Sequence, residues 1–259
     1  MRKKLQSTIS SWISPIAVVI VLIIWQVVSA SGLIPKFMLP SPFEIIKAFS
    51  DDFTLVMSHA KVTLIEAFIG LCGGVLIGFI LAVTMERFAI VYKICYPLII
   101  LTQTVPTVAI APLLVLWFGY GMLPKIILIT IVTFFPVAVG LLNGFQSVDK
   151  DGVRLLQAMG GTHTQIFRVI KFPSSLGAFF AGVRIAASYA VVGAVISEWL
   201  GGFWGLGVYM TRVRKAYAFD KMFAVIFLVS AISLGVMALV DILQRRCMPW
   251  EEKKDENKM

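Results

Sequence analysis

The side chains best suited to do chemistry are a few polar and ionisable residues that interrupt long apolar runs. Glu66 and Glu198 each flank a run long enough to cross a membrane, whereas Gln103 and Thr104 lie inside another. Ionisable residues at membrane depth are costly to bury, so they mark functional sites by default. The two carboxylates either serve a gate or pathway, or they simply meet interfacial water. Gln103 and Thr104 either line the same pathway or satisfy carbonyls freed by nearby prolines.

Composition places these residues in a membrane protein. The chain is 59% hydrophobic and only 14% charged, against about 25% charged in soluble domains. Its net charge of +9 would suit a nucleic-acid binder, but the charges lie between apolar runs, where membrane topology explains them better. We therefore expect a lipid bilayer around the chain and no nucleic-acid partner. The cysteines have no metal-binding spacing, so no metal site is expected.

Six apolar runs predict an all-α membrane protein with six transmembrane helices in a single domain over residues 1–259. The predicted cores are residues 13–28, 67–85, 94–124, 122–145, 176–200 and 222–240. The third of these is expected to be broken by Pro97, Pro106 and Pro112. Lysine and arginine are more frequent on the side that carries both termini, which predicts an N-in, C-in orientation and a charged cytoplasmic tail over about 245–259. The amphipathic stretch 43–53 is either a helix on the outer membrane surface or a loosely packed loop.

Small residues recur at helical spacing in two of the runs. In lipid, helix association depends on close backbone approach, which small residues allow. The doubled GxxxG pattern in the second run fits packing within one subunit or contact between two subunits. In the fifth run, Arg184 either snorkels to the membrane surface or anchors the preceding loop. The predicted packing positions are Gly70, Gly74, Gly78, Gly182, Ala186 and Ala190.

A charged segment over residues 146–176 separates the fourth and fifth runs, and we name it the docking segment. An apolar strip that includes Leu155 and Leu156 predicts a short helix, which Gly160 and Gly161 end. Thr162 then begins a capping-box pattern that restarts the helix, and Pro173 marks a further helix start. Such a segment beneath the membrane predicts a surface for docking a cytoplasmic protein.

The docking segment resembles the signature of the permease subunits of bacterial ATP-binding cassette (ABC) importers. That signature reads EAA, three residues, Gly, nine residues, Ile, any residue, Leu-Pro. Gly160 and the residues after it keep the spacing, whereas Arg154 replaces the acid of EAA by a base. The resemblance implies an ATPase-docking loop made by Arg154, Leu155, Leu156, Gly160, Gly161, Thr162, Ile170, Phe172 and Pro173.

The resemblance further implies a type I importer permease in the bacterial inner membrane. Its expected partners are cytoplasmic ABC ATPase subunits, an extracytoplasmic substrate-binding protein and a second permease copy as a homodimer. The chain has no GxxxxGK[ST] motif, so it is not expected to be an enzyme. ATP and Mg²⁺ would bind to the ATPase, with no cofactor in this chain.

Other motifs look like the nitrate, sulfonate, taurine and thiamine-precursor branch of these permeases, including residues 38–42 and 181–184. Within that branch, residues 103–106 and 209–222 most resemble permeases for thiamine pyrimidine precursors of the hydroxymethylpyrimidine type. Sulfonate-, taurine- or nitrate-type anions are the alternative solutes. A secondary transporter or a membrane scaffold is the alternative class. A secondary transporter would be expected to show internal repeats, and we find none.

Overall fold

The structure is a computed structural model that describes residues 2–250 except 33, 36 and 37, with side chains described from residue 16 onward. Its described residues form helices and connecting turns, without a strand. The helices are α1 (Arg2–Ala30), α2 (Pro42–Asp51), α3 (Phe53–Arg87), α4 (Ala89–Thr104), α5 (Thr107–Phe118), α6 (Met122–Gln146), α7 (Lys150–Ala158), α8 (His163–Ile166), a π-helix (Phe167–Lys171), α9 (Phe172–Trp199), α10 (Leu206–Lys215) and α11 (Phe219–Cys247). Of the predicted charged tail, residues 251–259 lie outside the described residues.

Four helical stretches are long and apolar enough to cross a membrane: α3, α6, the continuous stretch His163–Trp199, and α11. The pair α4 and α5 makes a fifth span if it is counted as one. The apolar part of α1 with described side chains, Ile16–Ala30, is shorter than a span. The described residues therefore support four or five spans, and the count of six remains a prediction.

One proline, rather than three, breaks the predicted third span. The axes of α4 and α5 differ by 97° across Val105 and Pro106. Val105 is extended, with φ −83° and ψ 121°, because a following proline disfavours the helical conformation. Pro97 and Pro112 lie inside α4 and α5. Our expectation of breaks at those two positions was wrong.

The described residues divide into two compact units, one of which contains residues up to Ser58 and Tyr209–Leu228. In this unit α2 begins with Pro42 after Ser41, whose hydroxyl accepts a hydrogen bond from the Glu44 amide in a capping box. The predicted amphipathic stretch is thus helical. Asp52, just after α2, accepts hydrogen bonds from Tyr209 and Lys221, both at 2.7 Å. The Lys221 ammonium, followed by the Tyr209 hydroxyl, lowers the pKa of Asp52.

The second unit contains residues His59–Val208 and the chain from Val229 onward. Helix α6 lies at its centre, and its side chains Val137 and Leu141 are fully buried. Helix α3 packs on one side of α6 through the three predicted glycines, Gly70, Gly74 and Gly78. A Cβ on Gly70 would lie 2.5 Å from Ile129 Cβ. The GxxxG face is therefore occupied within the chain.

Helix α9 packs on α6 through small residues of both helices. A Cβ on Gly144 would lie 2.8 Å from Ser175 Cβ, and a Cβ on Gly182 would overlap the Pro136 carbonyl. Ala186 and Ala190 are buried on the same helix. These contacts bring the two backbones together, as expected where small residues face each other in lipid.

Candidate functional site

Five polar side chains are buried together in the second unit: His59, Thr63, Glu66, Lys125 and Glu198. We name them the buried carboxylate cluster. His59, Thr63 and Glu66 lie four and three residues apart, so they share one face of α3. Lys125 comes from the first turn of α6 and Glu198 from the last turn of α9. The cluster thus joins three long helices at one end.

An ion pair and two strong hydrogen bonds hold the carboxylates. Lys125 Nζ lies 2.8 Å from Glu66 Oε1, with 6% and 0% of the two side chains exposed. The Thr63 hydroxyl donates to Glu198 Oε1 at 2.7 Å. The Gly207 amide donates to Glu198 Oε2 at 2.6 Å. Two buried carboxylates face one ammonium group, so the cluster depends on Lys125 for its positive charge.

The same side chains bind the backbone that leads into α10. The Gly205 amide donates to His59 Nδ1 at 2.9 Å, and the Leu206 amide donates to Thr63 Oγ1 at 2.8 Å. With the Gly207 bond to Glu198, three successive amides at the start of α10 are satisfied, where a helix leaves its N–H groups without internal partners. Because Nδ1 of His59 accepts a hydrogen bond, its imidazole is neutral, with the proton on Nε2.

The glycines of this connection are required by contact and by conformation. Gly205 has φ +126°, and a Cβ there would overlap the Glu198 carboxylate. A Cβ on Gly207 would lie 2.9 Å from Glu198 Cβ. Gly205 and Gly207 therefore let the backbone approach the buried Glu198 carboxylate closely.

The structure brings Glu66 and Glu198 together but places Gln103 and Thr104 elsewhere. The Glu66 and Glu198 residues are 0% and 1% exposed. Their carboxylates therefore contact other residues of the chain rather than interfacial water. Gln103 and Thr104 are exposed at the end of α4, and the Thr104 hydroxyl donates to the Leu101 carbonyl at 2.8 Å.

Sequence reasoning missed the other three members of the cluster. The polar spacing of His59, Thr63 and Glu66 on an otherwise apolar helix was the available signal. The positive-inside argument counts Lys125 among the outer-loop charges. It is 5% exposed and paired, because the first turn of α6 packs beside α3.

The docking segment forms its first predicted helix as α7. The Asp149 side chain caps it by accepting hydrogen bonds from the Asp151 and Gly152 amides. Leu155 and Met159 are 64% and 75% exposed. Of the other EAA positions, Arg154 is exposed and lies 3.3 Å from Asp151, and Leu156 is half-buried. A long apolar pair on a short surface helix suits contact with another protein.

A glycine turn and a second cap follow α7. Gly160 has φ +83°, a left-handed conformation that favours glycine. The Gly161 amide donates to the Leu156 carbonyl at 2.9 Å. Thr162 and Gln165 form the predicted capping box, in which the Thr162 amide donates to Gln165 Oε1 at 2.7 Å.

Helix α9 begins at Phe172 with Pro173 in its first turn, as predicted, and it continues from the preceding helical turns without a break. The π-helix precedes it, and the Phe172 amide bonds back five residues to the Phe167 carbonyl. Such a widened turn accommodates a residue that has no amide donor. Ile170 lies close to Gly152 of α7, and the Phe172 ring packs 6.1 Å from that of Phe79.

Two ion pairs fasten the neighbouring helices. Lys171 pairs with Glu86 at the end of α3. Arg184 Nε lies 2.7 Å from Asp241 Oδ1 of α11. Arg184 Nη2 donates to Gln244 Oε1 at 2.7 Å. Arg184 therefore anchors α9 to α11, and neither Asp241 nor Gln244 belongs to the docking segment.

A helical chain with several membrane-spanning helices, joined at one end by buried charges, is a multi-pass membrane protein. The family described as "Binding-protein-dependent transport system inner membrane component" matches residues 74–248. This chain belongs to that family of ABC permeases.

Two relatives illustrate the range within the family. The chain is 34% identical over 234 residues to the formylaminopyrimidine transport permease protein ThiX of Halalkalibacterium halodurans, covering 90% of this chain and 93% of the relative. It is 29% identical over 240 residues to the riboflavin transport system permease protein RibX of Chloroflexus aurantiacus, covering 92% and 89%.

A solved structure shares the fold. It is described as an amino acid ABC transporter with histidines, and it aligns with a TM-score of 0.64 at 18% identity. The alignment covers 76% of this chain and 96% of that chain. This likeness supports the helical architecture.

Proposed function

We propose that this chain is the permease subunit of an ATP-driven importer in the bacterial inner membrane. In this proposal, α1 and the bent pair α4–α5 complete six spans, with both termini in the cytoplasm. The observation that carries the proposal is the exposed apolar pair Leu155 and Met159 on α7, in a chain of the permease family. Relatives in this family are permeases, so we expect ATP and Mg²⁺ to bind to a separate ATPase.

Helix α7 would transmit force between that ATPase and the membrane helices. Its apolar pair enters a groove of the ATPase, and Gly160 sets the angle between α7 and the chain beyond. The Lys171–Glu86 ion pair and the Phe172–Phe79 contact connect this chain to α3. Movement of the docking segment would therefore reach α3 and α9 directly. The family signature has an acid at the position of Arg154. A base there favours an acidic residue in the groove of the ATPase that faces it.

The transported solute is proposed to be a thiamine pyrimidine precursor of the hydroxymethylpyrimidine type. The relative named for formylaminopyrimidine supports a pyrimidine, and the relative named for riboflavin supports a flat nitrogen heterocycle more broadly. Sulfonate-, taurine- or nitrate-type anions are the alternative, on the motifs that the chain shares with that branch.

A small apolar cavity offers a place for such a ring. It has a volume of about 200 Å³ and lies among α5, α6 and α9. Thr107 and Tyr189 provide its hydroxyl groups, and Leu128 and Ile196 are among its apolar walls. An apolar cavity with few polar groups is the usual form of a small-molecule site. Gln103 and Thr104 precede Thr107 in the chain and would extend this pathway.

A binding protein and a second permease copy complete the proposed importer. The binding protein delivers the solute to the outer side, and the copies form the pathway between them. The second copy must use a surface other than the glycine face of α3, because α6 already covers that face.

Uptake into proteoliposomes tests this function. The chain is reconstituted with a candidate ABC ATPase and binding protein from the same bacterium. Uptake of labelled hydroxymethylpyrimidine, formylaminopyrimidine, taurine and nitrate is measured with and without ATP. We expect ATP-dependent pyrimidine uptake only. Taurine or nitrate uptake would support the alternative solutes, and uptake that needs no ATP would support a secondary transporter.

A further inference from the structure

A cleft of about 450 Å³ lies between the end of α3 and the docking segment. Its basic side chains are Arg87, His163 and Lys171, and its apolar wall includes Val83 and Phe167. These residues come from α3, α8 and the π-helix. The cleft therefore combines positive charge with apolar surface, and the function proposed above assigns it no ligand.

The cleft and the proposed ATPase-docking surface lie on opposite faces of α7. Val153 and Gln157 line the cleft, whereas Leu155 and Met159 are the exposed apolar pair. Successive helical residues are rotated by about 100°, so residues two apart differ by about 200°. An ATPase bound to Leu155 and Met159 would leave the cleft open.

The charge of the cleft suits an anion. Lys171 is neutralised by its ion pair with Glu86. The side chain of Arg87 is exposed, and among the described residues no ion pair forms with it. His163 lies exposed on the same rim. Arg87 therefore gives the rim an excess positive charge, and the His163 imidazole adds a hydrogen-bonding group beside it.

The surroundings of the cleft suit a lipid. Arg87 is the last residue of the membrane-spanning α3, and Phe88 and Ile90 beyond it are 56% and 74% exposed. In the proposed orientation this is the cytoplasmic surface, where anionic headgroups concentrate and where basic pockets between helices bind them. Apolar side chains beside the pocket provide contacts for acyl chains.

We propose that this cleft binds the phosphate headgroup of an anionic phospholipid of the inner leaflet, with its acyl chains beside Phe88 and Ile90. Arg87 and His163 hold the phosphate, and Gln157 bonds the headgroup hydroxyls. The bound lipid links the end of α3 to the docking segment. The inference rests on the proposed function only for the orientation of this end of the chain.

Lipid retention by the purified chain tests the site without any ATPase. The wild-type chain is placed in nanodiscs of phosphatidylcholine that contain a minor fraction of phosphatidylglycerol, extracted, and analysed for retained lipid by native mass spectrometry. We expect selective retention of phosphatidylglycerol. The double variant Arg87→Gln, His163→Gln should retain at least about fivefold less phosphatidylglycerol, from about 1 kcal/mol for the Arg87 charge alone. Arg246→Gln, an exposed arginine outside the cleft, should match the wild type.

Three results would overturn the site. Equal retention by the double variant and the wild type would show that the cleft does not hold the lipid. Displacement by excess inorganic phosphate would assign the cleft to a soluble phosphate. Displacement by a saturating ATPase would assign it to that protein. Because none of these measurements requires ATP hydrolysis or solute, any of these results can occur while ATP-dependent uptake is intact.

Discussion

Replacing Lys125 by methionine should strongly destabilise the second unit. The ammonium of Lys125 is the one positive group beside Glu66 and Glu198 within the buried carboxylate cluster, and the Lys125–Glu66 pair is at least 94% buried on both sides. Methionine preserves the length of the side chain but removes the charge. Glu66 would then remain buried without a counter-charge.

The expected loss is about 3–5 kcal/mol, the typical effect of removing one partner of a buried ion pair. At about 2–4 °C for each kcal/mol in a chain of this size, the unfolding midpoint should fall by about 6–20 °C. Removing both charges with Glu66→Gln, Lys125→Met should recover most of the loss, because no buried charge is left unpaired.

Intrinsic tryptophan fluorescence during heating in detergent measures these changes. Trp204 reports on the cluster directly, because its ring lies 5.2 Å from that of His59. Lys61→Met is the matched control, since Lys61 is an exposed lysine of α3, and it should shift the midpoint little. The reasoning is refuted if Lys125→Met behaves like Lys61→Met, or if the double variant is as unstable as the single one.

Three further predictions concern packing, pH and coupling. Gly74→Val should separate α3 from α6 and lower the free energy of unfolding, measured thermally, by about 1–3 kcal/mol. Gly235→Val, where a side chain meets open space, should lower it less. Equal losses for the two variants would contradict the packing of α3 on α6. Because Lys221 lowers the pKa of Asp52, the stability from this carboxylate is present above about pH 4 and is lost as pH falls through the folded-state pKa. Asp52→Asn should therefore reduce the midpoint at neutral pH and weaken its decline in acid, and an unchanged acid profile would count against the linkage. Gly160→Val, at φ +83°, should leave membrane insertion intact but uncouple ATP hydrolysis from solute uptake. Normal uptake per ATP would contradict the role of Gly160 in setting the angle of α7.

The helices were predictable where apolar sequence ran without charge. The predicted fourth span, 122–145, is within one residue of α6. Helix α3 begins at Phe53, well before its predicted uncharged core at Ala67. The polar residues His59, Thr63 and Glu66 ahead of that core are buried and bond to the start of α10, to α9 and to α6. Hydropathy treats those residues as a boundary, whereas the fold buries them.

The buried carboxylate cluster could be predicted only in part. Glu66 and Glu198 stood out because each is a charge beside an apolar run. Their partners were hidden, since Thr63 meets Glu198 across 135 positions of sequence. The docking segment was more predictable, because the left-handed Gly160 and the Thr162 capping box are local features. The π-helix before Pro173 was not, since it depends on how the chain continues into α9.

Co-purification with a separate ATPase tests the central claim most directly. The tagged chain and a candidate ABC ATPase from the same bacterium are expressed together, and the amount of ATPase bound is measured for the wild type, Leu155→Asp and Leu155→Met. The account predicts a stable complex for the wild type and Leu155→Met, and a large loss for Leu155→Asp with the chain still inserted and folded. Equal ATPase binding by Leu155→Asp, or no binding by the wild type, would contradict it.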